Sequence, residues 1–248
     1  MPASELSLSS PTSTSSFEQA SALIQEGVSI FADAGCHDET SEAIRMFRGA
    51  LVTMQNLLRD VPQNYLLFSS VCRADEEQQL NVELTEIPGL AEEENCYIHK
   101  HAFVLSEEAM RNWQEHDALA FSCAMALFNI AMAFTLEGRR SGNSSVLRRA
   151  ISIYEKALDI VVCEQEAVCS NTFAFLILAT MNNMSYICGH LGLTEDAINI
   201  HERLMLFAAH IRHIGNSWPT EVHEIIQKFT HNRTEDTRTP SCQVARSA

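Results

Sequence analysis

Apolar residues recur at helical spacing from Phe17 to Leu58, first through Leu23, Val28 and Phe31, then through Ile44, Phe47 and Leu51. The pattern predicts two amphipathic helices separated by Gly35 and the polar stretch His37 to Thr40. Val61-Pro62 ends the second, because the residue before a proline is pushed out of the helical region. The period then changes. Residues 65–71, 80–84 and 97–105 read as strands, with Pro88-Gly89 as a loop between the last two. In the third strand Ile98, Ala102 and Val104 alternate with Tyr97, His99, His101 and Phe103. Helical spacing returns near Ser106 and runs to about Ile214, with breaks expected at Gly138–Ser145, Glu164–Glu166 and Gly189–Leu193. Pro219 to Phe229 reads as one last short helix.

This divides the 248 residues into a Ser-rich disordered tail (1–16), a first helix pair (17–60), an acidic strand and loop insert (61–105), further helix pairs with a C-terminal helix (106–230) and a polar disordered tail (231–248). The class expected is mainly α with a small β insert.

Charge narrows the partners. Seventeen Lys and Arg face thirty-two Asp and Glu, a formal net charge of -15, which repels phosphate and argues against nucleic acid. Eight of the acids (Asp75, Glu76, Glu77, Glu83, Glu86, Glu92, Glu93 and Glu94) crowd the insert. No run of apolar residues approaches the ~18 of a membrane span, and residues 1–16 lack the basic start of a secretory or mitochondrial signal. The eight Cys show no paired spacing, so a reduced cytoplasmic or nuclear setting is expected, with no membrane contact.

The helical part repeats itself. Asn129-Ile130-Ala131, Phe134 and Gly138, then Ala150, Tyr154 and Ala157, match Asn183-Met184-Ser185, Cys188 and Gly192, then Ala197, His201 and Leu204. The spacing within each helix is identical, and the first copy has seven more residues between its two helices, read as an expanded loop. A weaker copy runs through Gly27, Ile30, Ala34, Ala43, Phe47 and Ala50.

With a small residue late in one helix, an aromatic three positions on, and Ala, aromatic, Ala in the next, the chain resembles the tetratricopeptide repeat (TPR) family over roughly half its length. That family's early Trp and Leu and its helix-ending Pro are not matched. The resemblance implies an antiparallel helix-pair array, an α-solenoid, and a non-enzymatic adaptor or scaffold that holds a peptide on its concave face. By register, it implies a peptide-binding set of Gln25, Met125, Asn129, Met132, Asn182, Asn183 and Tyr186. Asn129 and Asn183 share one register, and their amides can hydrogen-bond an extended backbone whatever its side chains. The family's carboxylate clamp is not expected, because its cationic positions read Met125, Leu136, Ala179 and His190. A neutral or basic protein segment is the partner implied by the acidic chain, with a homo-oligomer through the same apolar face as the alternative.

Catalytic chemistry finds little support. There is no G-x-S-x-G, no phosphate-cradling Gly-rich loop and no H-E-x-x-H. His99 and His101 share a strand face near Cys96, but they lack the further ligands of a metal site, so no metal, cofactor or catalytic residue is assigned.

Overall fold

The computed structural model describes residues 13–33, 37–60, 82–88, 90, 98–106, 115–163, 171–213 and 220–231. The expected strand at 65–71, the break at 164–166, the acids at 75–77 and 92–94 and the tails before 13 and after 231 lie outside them. Among the described residues the order is α1 (Ser13–Ala32), α2 (His37–Asp60), β1 (Val82–Glu86), β2 (His101–Leu105), α3 (Glu115–Ser141), α4 (Ser144–Cys163), α5 (Asn171–His190), α6 (Thr194–His213) and α7 (Thr220–His231). The fold is mainly α with one small sheet, as the hydrophobic spacing predicts. Helix α1 starts four residues ahead of the expected boundary, so Ser13–Ser16 belong to it.

The helices pack in consecutive pairs, α1 with α2, α3 with α4 and α5 with α6, and α2 and α4 also touch the next pair. Small residues allow this. Ala43 and Ala50 in α2 and Ala150 and Ala157 in α4 are buried, around Phe47 and Tyr154, which are fully enclosed. Gly27 faces Phe47 so closely that an added Cβ would lie 2.7 Å from its ring, and one on Gly138 would lie 2.7 Å from Leu147 Cδ2.

The turns between α3 and α4 and between α5 and α6 have the same cap. At Gly142 (φ 64°) the amide of Asn143 bonds back to Gly138 O and that of Gly142 to Arg139 O. At Gly192 (φ 73°) Leu193 bonds to Cys188 O and Gly192 to Gly189 O. This is the Schellman arrangement, which needs a left-handed residue and so favours glycine. Asn143 also opens α4, its Oδ1 accepting from Ser145 N at 3.0 Å.

These caps correct the expected loop. Asn129 precedes Gly142 by thirteen residues, whereas Asn183 precedes Gly192 by nine, so α3 is one turn longer after its asparagine. Helix α4 takes up the remaining three residues before Ala150, again as helix. The seven extra residues therefore lengthen two helices and leave the turn tight. Gly138 and Gly189, read as breaks, are helical.

Helices α2, α4 and α6 each bury one stripe, for example Leu147, Ala150, Tyr154, Ala157 and Val161 of α4. Helices α3 and α5 differ: every side chain from Ala118 to Leu136 is buried except half-buried Leu127, and so are all from Asn171 to Met184. Residues Ala118–Ser141 are long and apolar enough to cross a bilayer, and 94% of the apolar window sits inside the fold. A count of consecutive apolar residues passes over them because Ser122, Asn129 and Thr135 intervene.

Strands β1 and β2 pair antiparallel, with Leu84 opposite Phe103, and Ile87 N donating to Lys100 O at 2.8 Å extends the ladder. The observed β1 lies two residues later than the expected strand at 80–84. Strand β2 packs on α1 and α3. With the three residues that precede it, the strand is buried on both faces, Ile98, Ala102 and Val104 on one and His99 and Phe103 on the other, so the segment 98–105 belongs to the core.

The glycine contacts generate a paired expectation. Gly138→Ala should destabilise the fold by about 1–3 kcal/mol, because Leu147 and its backbone must move. Gly189→Ala, with open space at its Cβ, should leave stability unchanged or raise it by about 0.5–1 kcal/mol. Denaturant titration of both variants checks the difference.

Candidate functional site

An antiparallel strand directs the amide and carbonyl of alternate residues to opposite sides. Lys100 turns its carbonyl towards β1, so His99, His101 and Phe103 present theirs to the helices. That second edge is buried, and buried backbone groups must find partners. For Phe103 and His99 two asparagines supply them. Asn129 in α3 accepts from Phe103 N at 3.0 Å and donates to Phe103 O at 2.9 Å. Asn183 in α5 accepts from His99 N at 2.8 Å and donates to His99 O at 3.0 Å. Each side chain presents one donor and one acceptor side by side, as a neighbouring strand would. The clamped residues are four apart, about 13 Å along an extended chain.

Asn183 is held in turn. Its Nδ2 also donates to the Tyr154 hydroxyl at 3.0 Å, and its Oδ1 accepts from Asn182 Nδ2 at 3.3 Å. Both donors and both acceptor positions are thereby engaged. Burial pushes the Tyr154 phenol above its ordinary range, so it stays a neutral partner.

The two asparagines meet an extended backbone, as the matched register implies, but the backbone is the chain's own segment 98–105. The expectation of an open groove is corrected by that occupant. Met125 and Met132 lie fully buried beside Asn129, and Asn182 is buried beside Asn183. Tyr186 is half-buried further along α5, under the Arg139 guanidinium at 5.5 Å and stacked with His190. Gln25 is exposed on α1, and its neighbours Ile24 and Val28 face the core instead.

The side chains of His99 and Phe103 enter an aromatic enclosure that register alone could not assemble. The His99 ring sits 5.9 Å from Phe128, 5.4 Å from Phe175, 5.9 Å from Phe229 and 5.4 Å from Phe103. Phe103 packs edge-on against Phe128 at 4.9 Å and near Phe175 at 5.7 Å. Phe229 comes from α7, whose Val222, Ile226 and Phe229 form its buried stripe. Neither ring nitrogen of His99 has a hydrogen-bond partner. A charged imidazole is disfavoured there, and burial first, then nearby His101, holds its pKa well below 6.5. His101, half-buried 5.3 Å away, is lowered chiefly by burial, opposed by Glu86. Glu86 itself pairs with Lys100 at 2.8 Å.

Other candidates offer less. Among the described residues no three His, Cys, Asp or Glu lie close enough to share a metal ion. Arg149 stacks on Phe134 at 4.5 Å, as Arg139 does on Tyr186, so both guanidinium groups cover aromatic rings. A groove of about 530 Å³ lies between α4, α5 and α6, over Met181, Met184 and Cys188. The Cys188 thiol is pushed up to about 11 by burial and by Asp196 and Glu155, which suppresses its thiolate.

The buried imidazole gives the fold an acid sensitivity of defined sign. Below pH 6.5 the unfolded chain protonates His99, whereas the folded chain keeps it neutral to a much lower pH. Stability should therefore fall as pH drops below 6.5, by up to about 1.4 kcal/mol per pH unit for that one proton. His99→Leu should remove this share of the slope and raise stability at pH 6. Urea titrations between pH 7 and 5 measure it, and equal slopes for wild type and variant would refute it.

Compared with family models, with curated proteins and with solved structures, the chain matches none, so the functional reading rests on its own residues.

Proposed function

We propose that the chain is a non-enzymatic protein-interaction adaptor, a short TPR-like array whose inner helices α1, α3 and α5 grip an extended segment by its backbone. Its own strand β2 fills that place at rest, and a partner's segment takes it in exchange. The observation that supports this is the pair of two-point amide clamps, Asn129 on Phe103 and Asn183 on His99. They recognise a peptide backbone and no particular side chain, so the surface that holds β2 holds any extended segment of fitting shape. A net charge of -15 favours basic or neutral partners and speeds their encounter. A reducing cytoplasmic or nuclear setting accords with the two buried free thiols, Cys123 and Cys188.

Affinity in trans then depends on how firmly β2 is held. Each 1.4 kcal/mol removed from the closed arrangement raises apparent affinity about tenfold. Ala102→Glu places a carboxylate at a fully buried strand position and should release β2. His99→Leu should hold it more firmly. Affinity capture from lysate, with helical content matched by circular dichroism, should yield more partner with Ala102→Glu and less with His99→Leu. Identical yields from wild type and both variants would sink the exchange.

A homo-oligomer is favoured by a different observation. Ile198, Met205 and Leu206 of α6 are exposed at 42%, 39% and 72%, and their spacing places them on one helix face. On that reading light scattering gives a dimer for wild type and a monomer for Leu206→Lys. A wild-type monomer would remove it.

A further inference from the structure

Backbone clamps give grip without selectivity, so selectivity in such a groove falls to the pockets that receive side chains. One of these holds His99, fully buried, and it is a poor match for what fills it. Its walls are the rings of Phe128, Phe175 and Phe229, brought by three different helices, with Phe103 alongside. Three of the four meet the imidazole at 61° or more, the edge-to-face geometry in which aromatic walls receive an apolar ring. The imidazole is fully buried, yet neither ring nitrogen makes a hydrogen bond, and the polar groups beside it are the ring of His101, 5.3 Å away, and the His101 backbone. A hydrocarbon side chain of similar size would make the same contacts without stranding two polar atoms.

We infer that this enclosure is the specificity subsite of the groove, and that it selects a partner segment with a leucine or phenylalanine at the place of His99, four residues ahead of an aromatic at the place of Phe103. The inference rests on the exchange proposed above and adds its selectivity. Asn183 fixes the backbone at the first position and Asn129 at the second, so the two anchoring side chains enter in fixed register. Phe103 shows what the second place accepts, packed 4.9 Å from Phe128. The native histidine makes β2 a weak resident. It keeps the groove closed while leaving room for a better-matched segment to replace it.

Three fluorescein-labelled peptides titrated into the full chain and followed by anisotropy test this. One carries the sequence of residues 98–105, and the other two carry it with His99→Leu or His99→Phe. The better of the two substituted peptides should bind about tenfold more tightly than the native sequence, a factor in keeping with one unmet buried polar group. The His99→Leu chain should bind all three more weakly, since its own strand then competes better. Equal affinity of the three peptides would overturn the subsite while leaving the exchange in place. Failure of every peptide to bind either wild type or the Ala102→Glu chain would overturn the exchange and the subsite together.

Discussion

The outer edge of β2 is the constraint on which the rest of the molecule depends. A strand paired on one side only carries a row of unmet amides and carbonyls on the other, and here that row is pressed into the helices. Apolar side chains cannot satisfy it. A carboxylate would offer no donor to the carbonyl, and a hydroxyl could not span amide and carbonyl of one residue as an amide does. Asn129 and Asn183 meet both needs in place, and their cost as poor helix formers is accepted at two mid-helix positions. Asn183 is itself steadied by Tyr154 and Asn182, so the clamp is built into the contact between α4 and α5.

The inner helices follow from the same constraint. Helices α3 and α5 are apolar on nearly all sides, which makes sense only if they are covered on nearly all sides. Helix α4 covers one flank of α3, and β2 another, while α7 contributes Phe229 beside Phe175. Removing the strand would uncover Phe128 and Phe175 together with the two asparagines. The segment 98–105 is therefore both ligand and core, and anything that replaces it must restore apolar burial as well as backbone pairing.

Much of this was legible in the sequence, and what was not has physical causes. The helix pairs, the burial of Ala131, Ala150 and Ala157 where they meet and the matched placement of Asn129 and Asn183 follow from spacing, because helix packing repeats with the period of the chain. Gln25 stands apart from the two asparagines, exposed on α1, because the first repeat preserves small residues but lacks the asparagine. The seven added residues looked like a loop because glycine weakens a helix on average, whereas Gly138 sits where only glycine fits against Leu147. The occupant of the groove was invisible to register, since an amide bonds a backbone in the same way whether that backbone belongs to its own chain or to another. The sign that was there to be read was the largely apolar character of both faces of 98–105, interrupted by His99, His101 and Lys100.

A strand tethered to its own groove has an effective concentration that is in the millimolar range for short flexible links. A free segment at micromolar concentration must then outbind it about a thousandfold, close to 4 kcal/mol, before exchange is even balanced. A perfectly matched resident would close the groove permanently. The unpaired imidazole of His99 lowers that barrier from the resident's side, and does so without loosening the asparagine clamps that define the site. The same residue makes the closed state weaken with acid, since protonation in the unfolded or released strand is favoured over burial as a neutral ring. Grip and selectivity are thus separated along the strand: backbone contacts set how tightly a segment is held, and one mismatched side chain sets how readily it is given up.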